Sequence, residues 1–130
     1  TNENLCEFER CVALGGDRIQ MMFGRDEMLL GALAMGAEAG VGTTFNYLPK
    51  IYRGVIEAFE AGDMAKARSF MELSHRAISA RYGLASIKVF MKFAGIDPGP
   101  MRSPVNRLNA EEERNFREEL SRAGLDEYIG

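Results

Sequence analysis

Residues 19–43 read IQMMFGRDEMLLGALAMGAEAGVGT, and this stretch predicts a strand, a helix and a second strand. The apolar run Ile19–Phe23 is short and ends at a glycine, which is typical of a buried strand. Asp26 can begin a helix that runs to Met35 and is apolar on nearly all sides, so it is expected to be buried. The second strand is expected over Ala39–Thr43. Strands that alternate with helices in this way indicate a parallel βαβ unit.

The remaining predicted elements are helices. One precedes the first strand, is capped by Asn2 and runs to about Leu14. Four follow the second strand, with expected ranges 48–62, 63–83, 86–94 and 109–123 and a loop rich in glycine and proline at 95–104. Asn109 and Glu112 have the spacing of a capping box at the start of the last helix. Two strands can neither close a barrel, which needs eight, nor pair both of their edges, so the chain is expected to be the end of something larger.

The composition of the 130 residues is that of a globular protein, nearly half apolar and about a quarter charged. The net charge of −3 argues against a nucleic-acid partner, since such proteins usually carry a basic patch. No apolar run reaches the roughly 18 residues of a membrane span, and the polar start lacks a signal-peptide pattern. Cys6 and Cys11 are expected to be half-buried thiols in a reducing compartment, which favours a cytoplasmic location. With a single histidine, no metal site is expected.

Two segments, FGRDEMLL (residues 23–30) and MGAEAGVGTTFN (residues 35–46), together carry a recognisable signature. They resemble the ends of the seventh and eighth strands in the N-acetylneuraminate lyases, which share a family with dihydrodipicolinate synthase and the keto-deoxy-gluconate aldolases. The resemblance covers essentially the whole chain. It implies an α/β fold, the C-terminal portion of a (β/α)8 TIM barrel with its last two strands. Residues 1–47 would be the last βα units of the barrel, and residues 48–130 its last helix and a C-terminal helical extension.

The same resemblance implies a class I aldolase that cleaves N-acetylneuraminate to N-acetylmannosamine and pyruvate through a lysine Schiff base, without a metal or organic cofactor. The family motif around that lysine is Lys-x-Thr, and Thr1 matches its threonine. The catalytic lysine would then lie two residues before Thr1, and this chain would supply the sugar-binding side. A homotetramer is implied for the full-length form. Two alternatives stay open: another pyruvate-dependent aldolase or synthase of the family, and a fragment without catalysis.

The resemblance predicts six substrate-binding residues: Thr1, Gly24, Asp26, Glu27, Gly42 and Thr43. Asp26 and Glu27 match the acidic pair that holds the glycerol-like tail of the sugar acid, and strand ends in a barrel face its active site. The residues alone leave a plainer interpretation open, because Asp is a good N-cap and Glu favours the first turn of a helix. Gly24 could equally be an ordinary turn residue, and Gly42 could simply mark the end of a strand. Family members usually have Ser at the position of Thr43, whose added methyl narrows the pocket.

Three other features have ordinary explanations. Lys88 lies in an apolar helix, where burial could make it a nucleophile, but a stem on apolar surface with its head in water is more common. His75 is expected at the surface or in an interface. The apolar stripe from Met64 to Ile78 is expected to pack on neighbouring helices or to line a subunit contact.

Overall fold

The two predicted strands pair in parallel, which confirms the βαβ unit. The structure, a computed structural model, describes residues 3–80 and 83–129 of the chain. Strand β1 (Met22–Phe23) lies beside β2 (Ala39–Gly40), with the first residues of the two strands opposite each other. Both strands are shorter than predicted, because an apolar run does not show where its backbone has a partner. The pairing stops before Thr43, where the chain turns sharply.

Helices make up most of the remaining described structure. Their bounds are α1 Leu5–Gly15, α2 Leu29–Ala34, α3 Pro49–Glu60, α4 Met64–Ser79, α5 Ala85–Phe93 and α6 Ala110–Arg122. Short 3-10 turns cover Gly16–Arg18, Asp26–Met28, Thr43–Asn46 and Asp126–Tyr128. Every predicted helix is therefore present. The predicted helix from Asp26 to Met35 is divided, since its first three residues form a 3-10 turn ahead of α2.

The helix starts follow local capping chemistry, with one correction. The capping box of α6 is confirmed, since the Glu112 amide donates to Asn109 Oδ1 at 2.9 Å and the Asn109 amide donates to Glu112 Oε2 at 2.7 Å. The predicted cap of α1 at Asn2 is wrong: Asn4 caps this helix and accepts the Glu7 amide at 3.2 Å. Asn2 itself lies outside the described residues. Both asparagines precede the apolar stripe, so composition could not choose between them.

The main core lies between α3 and α4, which carries the predicted apolar stripe. Ala67 and Met71 of this stripe are buried against α3, whereas Met64 at its start stays 39% exposed. A cluster of aromatic side chains joins α5 and α6 to the same core. The Tyr47 ring stacks on Phe90 with centroids 4.3 Å apart, and Phe116 contacts Phe90 edge-on. These contacts attach the C-terminal helices to the part that contains the strands.

One face of the two-stranded sheet is covered and the other is open. Phe23 is buried with Leu29 of α2, whereas Met22, which points the opposite way, is 50% exposed. Val41, just beyond β2, is 60% exposed. A large apolar side chain on a sheet face normally packs against another layer, which these two exposed side chains lack within residues 3–80 and 83–129.

The surface of the described residues shows two further features. Cys6 and Cys11 are free thiols and both are exposed, so the expectation that they are half-buried is wrong: α1 turns them away from its contact with α2. Among residues 3–80 and 83–129, no helix combines the length and the apolar character that crossing a membrane requires.

Candidate functional site

A cavity of about 540 Å³ lies at the carboxyl ends of β1 and β2. Its lining contains every predicted site residue that the structure describes: Gly24, Asp26, Glu27, Gly42 and Thr43. Thr1, the sixth, lies outside the described residues. The carboxyl ends of parallel strands meet at the same edge of a sheet, so two segments far apart in sequence converge here. Arg25, Val41, Thr44, Asn46 and Ile78 complete the lining.

Asp26 is a buried carboxylate that connects the two strand ends. Its Oδ2 accepts the backbone amide of Thr44 at 2.8 Å and also the Thr44 hydroxyl. The N-cap position of the turn is Arg25 and Asp26 is its first residue, so the interpretation of Asp26 as the N-cap is wrong. Only 8% of the residue is exposed. Charge-assisted bonds from two donors satisfy the buried oxygen, and they hold the carboxylate in one orientation at the edge of the cavity.

Gly42 is required by the close approach of Asp26. A Cβ added to Gly42 would overlap Oδ1 of the Asp26 carboxylate. Its φ of −154° is ordinary extended backbone, so the conformation itself does not need a glycine. The glycine therefore makes room for a neighbouring side chain at the strand end.

A chain of buried hydroxyls continues from Asp26 into the helices. The Thr44 Oγ1 and Tyr52 hydroxyl oxygens are 2.6 Å apart. A carboxylate can only accept, so the Thr44 proton points to Asp26 and the Tyr52 hydroxyl donates to Thr44. Burial raises the pKa of Tyr52 to about 12, and the negative charge of Asp26 contributes to the rise. Tyr52 is therefore a neutral donor at physiological pH.

Glu27 is the more accessible carboxylate of the pair. Its side chain is 33% exposed, and its nearest cation is the Arg25 guanidinium, whose Nε lies 3.7 Å from Oε2. Arg25 also pairs with Glu3 at 2.5 Å. The Glu27 carbonyl lies 2.9 Å from Nε2 of His75 on α4, and because a carbonyl only accepts, this ring nitrogen carries the proton. Glu27 thus combines a fixed backbone with a side chain that can accept hydrogen bonds from a ligand.

Three residues that support the site were not identified as such from the sequence: Thr44, Tyr52 and His75. Two of the bonds join distant positions, since Thr44 lies 18 positions after Asp26 and His75 lies 48 positions after Glu27. No local spacing could have revealed these pairs. His75 was predicted at the surface, and it is exposed there while its ring bonds to the Glu27 carbonyl.

A second cavity, of about 240 Å³, lies between α5, α6 and the loop before α6. Lys88 lines it, and its Nζ donates to the carbonyls of Pro98 and Pro100 at 3.2 and 2.9 Å. Lys92 pairs with Glu113 at 3.1 Å. Lys88 holds the loop in place and Lys92 links α5 to α6, so this cavity is a weaker candidate for chemistry than the strand-end cavity. Within residues 3–80 and 83–129, no three His, Cys, Asp or Glu side chains lie close enough together to hold a metal ion.

Comparison with known proteins identifies the family of the chain. The sequence pattern of the dihydrodipicolinate synthetase family matches residues 1–123. The chain belongs to this family. Its fold over the described residues is accordingly that of a TIM-barrel family, with few strands and many helices.

Within the dihydrodipicolinate synthetase family, the chain is similar to N-acetylneuraminate lyases. It is 38% identical to the lyase of Mus musculus over 117 residues, which cover 85% of this chain and 37% of the relative. It is 35% identical to the lyase of Rattus norvegicus over 136 residues, which cover 100% of this chain and 42% of the relative. The chain thus spans about two fifths of the length of these relatives.

Solved structures of the family show the same likeness. The N-acetylneuraminate lyase of Proteus mirabilis superposes with a TM-score of 0.86 at 32% identity, covering 95% of this chain and 43% of that one. A dihydrodipicolinate synthase from Bacillus anthracis superposes with a TM-score of 0.79 at 22% identity, covering 91% of this chain and 41% of that one, which shows the fold alone.

Proposed function

We propose that this chain is the C-terminal part of an N-acetylneuraminate lyase and supplies the sugar-binding side of its active site. The observation that carries the proposal is the strand-end cavity, which brings together a half-buried and a buried carboxylate, Glu27 and Asp26, with Thr43. Residues 1–47 would then be the last βα units of the barrel, and residues 48–130 its last helix and the helical extension. The open face of the sheet, with Met22 and Val41 exposed, supports this assignment, because six further strands would cover it.

The chemistry of such an aldolase is divided between two sides of the site. A lysine amine condenses with the ketone of the sugar acid to form an imine. When the carbon–carbon bond breaks, its electron pair moves to the imine nitrogen and leaves an enamine in place of a free carbanion. A base of the complete site takes the proton of the sugar hydroxyl as the aldehyde forms. The enamine carbon then takes up a proton, and addition of water to the resulting imine releases pyruvate and the free lysine amine. We propose that the lysine lies before Thr1, as the Lys-x-Thr motif of the family implies, outside residues 1–130.

The residues of this chain would act at the other end of the substrate. Glu27 has a partly exposed side chain and can accept hydrogen bonds from hydroxyls of the sugar tail. Oδ2 of Asp26 already accepts two donors from Thr44, so less of its bonding capacity is free. We therefore assign direct contact with the tail chiefly to Glu27, and Thr43, which is exposed at the second strand end, offers a further hydroxyl.

A second candidate function is a dihydrodipicolinate synthase-like reaction, in which pyruvate is condensed with a different acceptor on the same barrel. The family match and the likeness to the Bacillus anthracis fold allow it. The acidic pair favours the lyase, since two adjacent carboxylates suit a polyhydroxy tail.

The test uses the full-length protein that carries this sequence. We expect pyruvate release from N-acetylneuraminate, measured by a coupled assay. Incubation with pyruvate and borohydride, followed by peptide mass spectrometry, should place the reduced adduct on a lysine outside residues 1–130. An adduct on Lys88, or activity with an aldehyde acceptor of the synthase type but none with N-acetylneuraminate, would contradict the proposal.

A further inference from the structure

We infer that helices α3 and α4 position the acidic pair: Tyr52 of α3 supports Asp26 through Thr44, and His75 of α4 supports Glu27 directly. This inference rests on the proposed function, because it explains how the sugar-binding carboxylates are held. It assigns a role in substrate selection to two helices that pack against each other and follow both strands in the chain.

The first support runs through buried hydroxyls. Tyr52 donates to Thr44 at 2.6 Å, and Thr44 donates both its hydroxyl and its amide to Asp26. Tyr52 and Thr44 are at most 2% exposed. The three residues lie on three different elements: α3, the turn after β2, and the turn after β1. The orientation of the Asp26 carboxylate is therefore coupled to the position of α3.

The second support is direct. Nε2 of His75 donates to the Glu27 carbonyl at 2.9 Å across 48 residues of sequence. Glu27 lies in a 3-10 turn of three residues, and a turn of this length has few hydrogen bonds of its own. A donor from another element fixes the peptide plane after Glu27, and with it the direction in which the side chain leaves the backbone. Glu72 and Arg76 on the same helix pair with each other, so they leave the ring of His75 available for this carbonyl.

The stability of the fold does not by itself account for this arrangement. Well-packed apolar side chains stabilise a core at least as well as a buried carboxylate with its hydroxyl partners. A buried polar chain with its donors and acceptors matched instead specifies one orientation of its terminal group. That terminal group lies at the edge of the proposed sugar site. The supports should therefore affect how well the enzyme distinguishes a long sugar tail from a short one.

The measurement is the ratio of kcat/KM for N-acetylneuraminate to kcat/KM for a sugar acid shortened at its tail, in the full-length enzyme. A loss of folded protein lowers both values equally and leaves the ratio unchanged. Loss of a positioning hydrogen bond should lower the ratio by about threefold to tenfold, the scale of one neutral hydrogen bond, chiefly through KM for the long substrate.

Two variants remove the supports, and each has a matched control. His75→Ala removes the exposed donor and should lower the ratio, whereas His75→Gln keeps a donor and should restore part of it. Thr44→Val removes the hydroxyl at nearly constant shape, and Thr44→Ser should retain the ratio. Ser69→Ala is the control on the same helix, since Ser69 donates to a carbonyl three residues back, as Ser74 does, but lies at the exposed surface.

The outcomes separate this inference from the proposed function. A ratio within twofold of wild type in either His75→Ala or Thr44→Val overturns the inference, even when thermal stability falls, because the supports would then serve the fold only. A wild-type enzyme that does not cleave N-acetylneuraminate overturns the proposed function, and the inference fails with it. A lower ratio in both variants, with Ser69→Ala unchanged, supports the positioning roles of α3 and α4.

Discussion

Glu27→Gln is the substitution that most directly tests the sugar-binding site. Gln has nearly the shape of Glu, so the change removes the negative charge and leaves the geometry of the turn in place. Glu27 forms an ion pair with Arg25 at 3.7 Å, and the side chains of Arg25 and Glu27 are 43% and 33% exposed. Such a pair contributes little to stability, so we expect a change in the free energy of unfolding below about 0.5 kcal/mol.

The expected loss in catalysis comes from one charge-assisted hydrogen bond to a hydroxyl of the sugar tail. Such a bond contributes about 1.5–3 kcal/mol when it is shielded from water. Glu27 is 33% exposed, so solvent screening places its contribution at the lower end of this range. The result is about a tenfold loss in kcat/KM for N-acetylneuraminate. The loss should appear chiefly in KM, because a contact with the distal tail is made in the ground state and in the transition state alike.

The assay compares full-length wild type and Glu27→Gln on N-acetylneuraminate and on a sugar acid shortened at its tail. Wild type should prefer the long substrate, and the variant should lose most of that preference while its activity on the short substrate is retained. Equal kinetics of the two enzymes on both substrates would refute the reasoning. Glu27 would then be only a residue of a helix start, and the function would be that of an unspecified aldolase of the family.

Three further predictions concern the stability of the full-length protein. Asp26→Ala leaves the buried Thr44 amide without its acceptor and should destabilise the fold by about 1–3 kcal/mol in urea unfolding. Glu27→Ala is the control and should lower the free energy of unfolding by less than about 0.5 kcal/mol. Equal effects of the two substitutions would contradict the conclusion that Asp26 holds the two strand ends together. Gly42→Ala forces a Cβ against the Asp26 carboxylate and should lower the thermal unfolding midpoint. A midpoint equal to that of wild type would show that the site is not tightly packed. The folded-state pKa of Tyr52, about 12 against an ordinary value of 10, means that its stabilising contribution is complete below pH 10 and is lost between pH 10 and 12. This loss of stability, on the order of 2–3 kcal/mol, should be absent in Tyr52→Phe. Parallel curves of the free energy of unfolding against pH for the two proteins would disprove it.

Features that depend on near neighbours in the chain were predictable. The capping box of α6 involves residues three apart, and its two bonds form as the spacing of Asn109 and Glu112 predicts. The apolar stripe of α4 likewise follows from the period of the helix. The end of β1 was placed correctly at Phe23, since a glycine follows it, but its start was placed too early, because strand pairing depends on a second segment of the chain.

The residues that line the candidate site could be predicted, whereas the hydrogen bonds that hold them could not. Asp26, Glu27, Gly42 and Thr43 follow strand ends, and parallel strands bring their carboxyl ends together, so the sequence by itself determined that these residues share one cavity. Only the tertiary structure decided that Asp26 bonds to Thr44 instead of capping a helix, and that His75 reaches the Glu27 carbonyl. The physical reason is the range of the interactions. Periodicity and capping act within a few residues and leave a local pattern, whereas a hydrogen bond between segments 18 or 48 residues apart exists only when packing has brought its two atoms within about 3 Å.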